Sequence, residues 1–108
     1  MPELLLRIDS DRPVDYAGVA PRPLESLNLV PGVSVSQDVL LSDHEVYAFV
    51  INVAAGATGS LVVAAVMGFI RRLRDKNPTA RFELEHQEID FDDDGHIDRI
   101  ISTRIKQG

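Results

Sequence analysis

Residues 46–76 read VYAFVINVAAGATGSLVVAAVMGFIRRLRDK, and the way this stretch divides decides the fold. Residues 46–70 carry no charge and run into Arg71-Arg72-Leu73-Arg74, the profile of a membrane span with a basic flank. Against that reading, Asn52, Gly56, Thr58, Gly59 and Ser60 interrupt the middle, where a span is most apolar. The composition also changes along the run, β-branched and aromatic before Ala54 and alanine-rich after it. The division that fits is a strand over 46–53, a glycine loop and a buried helix over 61–74. Leu61, Ala64, Ala65, Gly68, Phe69 and Arg72 share one helical stripe, and the residues between them are also apolar up to Ile70, so the helix is predicted to be largely buried. Arg71, Arg72, Arg74 and Lys76 complement the negative end of the helix dipole, and Asn77-Pro78 stops the helix. Thr58 and Ser60 are both suitable N-caps.

Upstream, residues 4–8 form a short apolar strand. Prolines at 13, 21, 23 and 31 then remove ladder donors and disfavour helix before them, so 13–31 is expected to be mostly loop, with one helical turn at most near Leu24. Pro31-Gly32 marks a turn. After it Val33, Val35, Val39 and Leu41 alternate with Ser34, Ser36 and Asp38, with Gln37 the exception on the apolar side. This strand pairs naturally with 46–53 as a hairpin.

Downstream, Phe82 and Leu84 alternate with Glu83 and Glu85, and Ile89 and Phe91 continue in the opposite parity. That shift predicts a bulge near His86-Gln87-Glu88. Asp92-Asp93-Asp94-Gly95 reads as a turn, and Ile97, Ile101, Thr103 and Ile105 as the inner side of a returning strand. The expected architecture is α+β: a mainly antiparallel sheet of four or five strands with one long buried helix, in a single domain spanning 1–108.

Composition narrows the function. The chain has 108 residues, 44% hydrophobic, with no cysteine, which excludes disulfide scaffolds and cysteine-based zinc sites. Eleven Lys and Arg against 17 Asp and Glu give a net charge of −6, the wrong sign for a nucleic-acid binder. Met1-Pro2-Glu3 does not open like a secretory signal, so a cytoplasmic location is expected.

Five constellations carry potential chemistry. The uncharged run just divided is one, and it favours strand plus helix over a membrane span. The loop from Ala55 to Ser60 has the context of an anion-binding turn but lacks the lysine and the spacing of a phosphate loop. Asp90, Asp92 and Asp94 followed by Gly95 resemble the opening of a calcium loop, yet its twelfth position is Ile101 where a bidentate Glu is needed. His44, His86 and His96 match no spaced ligand or nucleophile motif, so neither an enzyme nor a cofactor is expected. The fifth is charge: eight carboxylates and no Lys or Arg occur between Phe82 and Asp98. With Phe82 and Leu84 inward, Glu83, Glu85, Glu88, Asp90 and Asp98 would share an outward acidic face. Like charges on neighbouring strand positions repel, whereas a basic partner would stabilise them and associate faster.

The order of strand, Gly-rich 55–60, buried helix ending in Arg71-Arg72-Leu73-Arg74, then Arg81-Phe82-Glu83-Leu84-Glu85 resembles the effector-associated constant component domains of bacterial conflict systems. That resemblance implies a non-enzymatic adaptor, with no functional residue carried over. In general style the chain is also similar to immunity proteins, which are often small, cysteine-free and acidic. The expected function is accordingly protein binding: an immunity protein that covers the basic active site of a cognate toxin with Glu83, Glu85, Glu88, Asp90 and Asp98. No nucleic-acid or membrane partner is expected, and an exposed strand edge would also allow a homodimer.

Overall fold

The computed structural model describes residues 3–38, 46–57, 59–93 and 95–107. Its organising element is β1 (Glu3–Asp9), in which Leu4, Leu6 and Ile8 are fully buried on one face while Glu3 and Arg7 are exposed on the other. β2 (Ser26–Val30), β3 (Val33–Gln37) and β4 (Val46–Val53) follow, then α1 (Gly59–Lys76), β5 (Arg81–Leu84), β6 (Gln87–Glu88) and α2 (His96–Gln107). β1 lies between β4 and β5 and pairs antiparallel with both. The sheet has six strands in the order β2-β3-β4-β1-β5-β6, and every pairing is antiparallel. Because β4 and β5 flank β1, α1 must cross over β1 to join them, and this crossing packs it on the sheet.

The α+β class and the antiparallel sheet are as expected, but the counts are not: there are six strands and two helices. β2 falls within the proline-broken segment. It is an edge strand, and an edge needs ladder donors on one side only, so nearby prolines do not forbid it. The Pro31-Gly32 turn is present, with Gly32 at φ 88, and it joins β2 to β3. The expected continuation of β3 through Val39 and Leu41 lies outside the described residues, as does Thr58.

The helix expected to be largely buried is fully buried along one stripe only. Val62, Val66, Phe69, Ile70 and Leu73 are inside, whereas Leu61 is 57% exposed and Ala64 faces solvent. The helix is apolar nearly all round as far as Ile70, so periodicity alone does not choose the face. The charged end does: Arg72 lay on the expected stripe, and keeping its guanidinium in water turns the bulkier branched side chains inward. Phe69 meets Phe49 edge-on at 6.1 Å, and each buried aromatic of this kind contributes about 2–3 kcal/mol.

The returning strand is not a strand. Residues 96–107 form α2, and Ile97, Ile100 and Ile101 are buried in the same cluster as Phe69 and Leu84. Ile97 and Ile101 suit either period, but Ile100 suits only a helix. The expected bulge is instead a two-residue hairpin turn, with Glu85 at φ 50 and His86 at φ 66. Both helices therefore cover one face of the sheet. The uncharged run 46–70 is strand, turn and helix, and no helix among the described residues is long and apolar enough to cross a membrane.

Asn77 ties the loop segment to this frame. Its Oδ1 accepts the Asp15 backbone N–H at 2.8 Å, and its Nδ2 donates to the Asp15 carbonyl at 2.7 Å and the Leu73 carbonyl at 2.9 Å. One buried side chain thus ends α1 and anchors the 14–22 loop. Asn77→Ala is expected to lower stability by about 2–3 kcal/mol in denaturant unfolding. Asn77→Asp, nearly isosteric, should cost at least as much, because its carboxylate would face the two carbonyls that now receive N–H groups. His86→Gly should raise stability by up to about 1 kcal/mol, since the left-handed backbone there strains any residue with a Cβ.

Candidate functional site

Of the five carboxylates expected to share one face, Glu83, Glu88 and Asp98 lie in β5, β6 and α2, and Glu85 and Asp90 lie in the segments that follow β5 and β6. Glu83 lies in β5, opposite in parity to buried Phe82 and Leu84, and therefore on the sheet face away from the helices. By register its neighbours are Arg7 on β1 and Glu88 on β6. Glu88 is exposed at the sheet edge. Asp90 follows, also exposed; its Oδ1 accepts the Asp92 backbone N–H at 3.0 Å, and its own N–H donates to His96 Nδ1 at 2.9 Å.

Two of the five depart from the expected face. Glu85 sits in the strained turn, and its Oε1 is 3.0 Å from Arg104 Nε, so its charge is compensated within the molecule. Arg104 Nε also donates to the Glu3 carbonyl at 3.1 Å, binding the end of α2 to β1. Asp98 is on the first turn of α2, on the helix-covered side of the sheet, and accepts a hydrogen bond from Ser102 Oγ at 2.9 Å. It is placed to favour the helix N-terminus and not to join Glu83. The concentrated face thus reduces to Glu83, Glu88 and Asp90, with Arg7 beside Glu83 and Arg81 beside Asp9 at 3.7 Å.

The Asp-rich segment has a local structural task. Asp93 Oδ1 accepts the Gly95 backbone N–H at 3.0 Å, and its other oxygen pairs with the Arg99 guanidinium. The segment turns the chain into α2 and satisfies donors that a helix start leaves unpaired. Asp94 and His44 lie outside the described residues. Among the described ones, no group of three His, Asp or Glu side chains is placed to hold a metal ion. His86 is exposed in its turn, and His96 has one ring nitrogen committed to the Asp90 N–H.

A second feature was not anticipated. A groove of about 710 Å³ runs between the 14–22 loop and β2, lined by Val14, Tyr16, Val19, Pro21 and Leu27 among others. Tyr16 packs against Tyr47 at 4.8 Å, which connects the groove wall to the core.

No protein-family model matches the chain, and no curated protein or solved structure matches it. Function must therefore be argued from the chain's own surfaces.

The Arg99 and Gly95 contacts hold the Asp93 carboxyl below the usual aspartate range. A group lowered in this way stabilises the fold above its unfolded value and loses that effect as pH falls through its folded value. Asp93→Asn should lower the melting temperature at neutral pH. The gap from the parent should hold down to about pH 5 and close below about pH 4, read by thermal melts across a pH series.

Proposed function

We propose that this protein works by binding another protein without catalysis, as an immunity-type inhibitor that covers the basic active site of a bacterial antagonistic toxin in the cytoplasm. The observation that carries the reading is the Glu83–Glu88 pair, two carboxylates directly opposite each other across β5 and β6. Like charges at such positions destabilise a sheet by roughly 0.2–1 kcal/mol. Arg7 compensates Glu83 from one side only, and Glu88 and Asp90 extend the negative potential to the sheet edge. A cation from a partner, placed between Glu83 and Glu88, would turn the repulsion into two attractive contacts. Glu85 and Asp98 would contribute by long-range attraction and not by contact.

This role sets stability against binding at one position. Glu88→Lys places an ammonium opposite Glu83 and should stabilise the free protein by about 0.5 kcal/mol. The same change should weaken binding to the basic partner about tenfold or more, chiefly by slowing association at low salt. The measurement pairs a thermal melt of the free protein with binding kinetics against the partner copurified from the native cell. A variant that melts higher and binds as tightly as the parent would show the carboxylates to be only a solvated edge.

A further inference from the structure

The two edges of the sheet are built differently. β6 is two residues long and carries Glu88, so it is short and charged, the usual protection of an edge against pairing with another chain. β2 has five residues, Ser26–Val30, and no charge. Leu24 and Leu27, two of the three large apolar side chains exposed among the described residues, lie at this edge, 93% and 36% exposed. Leu24 is also strained. It follows Pro23 in a turn closed by the Glu25 N–H on the Arg22 carbonyl at 3.0 Å, with φ 68. That turn position suits Gly or Asn, and a side chain with a Cβ is strained there. The fold therefore holds a leucine in a disfavoured conformation and gains no burial from it.

The backbone of β2 is equally specific. The Gly32 carbonyl accepts from Ala54 N–H, and the Asp38 N–H donates to Ala48, so the even-numbered residues of β3 bond to β4. Val33 and Val35 then bond to β2, and Leu27, which faces Val35, directs its backbone groups inward. Ser26 and Asn28 direct theirs outward, along an edge that no other strand among the described residues pairs with. A shift in register after Asn28 ends this run.

We propose that β2 pairs with β2 of a second copy, antiparallel about a two-fold axis at Leu27, joining two sheets into one. In that register Ser26 and Asn28 exchange backbone hydrogen bonds with Asn28 and Ser26 of the second copy. Leu27 opposes Leu27 as a non-hydrogen-bonded pair, where side chains approach most closely. The contact is isologous, since each copy offers the same patch.

Charge permits a second copy at this edge and not at the other. A chain of net charge −6 repels itself, and a contact at β6 would set Glu88 and Asp90 against their own images. At β2 the stretch 26–37 is neutral, and the β6 edge is five strand spacings away, roughly 24 Å. That is about three Debye lengths at physiological salt, so repulsion from the β6 carboxylates is screened where the two copies meet.

Sedimentation velocity over a concentration series from low micromolar to millimolar tests the proposal. The parent is expected to reach the mass of a dimer. Asn28→Pro deletes only an outward N–H, which an edge strand tolerates, and Leu27→Lys sets two ammonium groups face to face. Each should raise the dimer dissociation constant at least about tenfold, with an unchanged far-UV spectrum at low concentration. If the proline variant fails to fold, the lysine variant still decides the matter. Glu88→Lys should leave the dimer intact, which separates this edge from the proposed partner surface. A parent that stays monomeric throughout overturns the proposal and leaves the edge for a strand of another protein. So does a dimer that survives both β2 substitutions.

Discussion

The structure depends on β1 being held between β4 and β5. Its partners are far from it in sequence, with Leu5 opposite Val50 and Ile8 opposite Phe82. Without β1, the β2-β3-β4 meander and the β5-β6 hairpin would not form one sheet, and α1 would have no continuous surface beneath it. The burial of Leu4, Leu6 and Ile8 is therefore the contact that assembles separately formed pieces. Pairings this distant close large loops, and the burial beneath them must offset that entropy.

Among the described residues, the backbone around this frame is strained at three with a Cβ: Leu24, Glu85 and His86. The strain at Glu85 has an internal counterweight, because Arg104 pairs with its carboxylate and binds the Glu3 carbonyl, locking the turn to both β1 and α2. His86 shares that locked turn. Leu24 has no such counterweight from burial. Strain retained where nothing in the fold relieves it is the physical mark of a surface kept for contact. It adds a cost at the β2 edge to the Glu83–Glu88 repulsion at the acidic hairpin.

Charge follows the same division. The carboxylates that precede or begin α2 are satisfied locally, Asp93 by Arg99 and Gly95 and Asp98 by Ser102, and they belong to helix initiation. Those on β5 and β6 are left facing one another, so the negative end of the sheet is β6 and the neutral end is β2. A sheet with one charged and one uncharged edge offers two different contacts, one for a basic partner and one for a surface like itself.

Much of this was written in local pattern. The alternation of Val33 and Val35, the run 46–53, the Pro31-Gly32 turn and the stop at Asn77-Pro78 each rest on neighbours in sequence, and they stand where periodicity puts them. What local pattern did not carry was the choice between two faces or two periods when both fit. The rotation of α1 turned on where Arg72 could reach water, and the helical state of 96–107 turned on Ile100 finding the core that Phe69 and Leu84 had already formed. The acidic face is narrower than expected for the same reason, keeping Glu83, Glu88 and Asp90 without Glu85 and Asp98. Whether eight carboxylates share a surface depends on which elements carry them and which arginines arrive from elsewhere, and Arg7 and Arg104 are distant in sequence from the glutamates they compensate. Sequence alone determined class, sign of charge and most turns, because those follow from side-chain chemistry and short-range sterics. Only the tertiary structure decided facing, edge and compensation, because each is set by residues that meet after the chain has closed on itself.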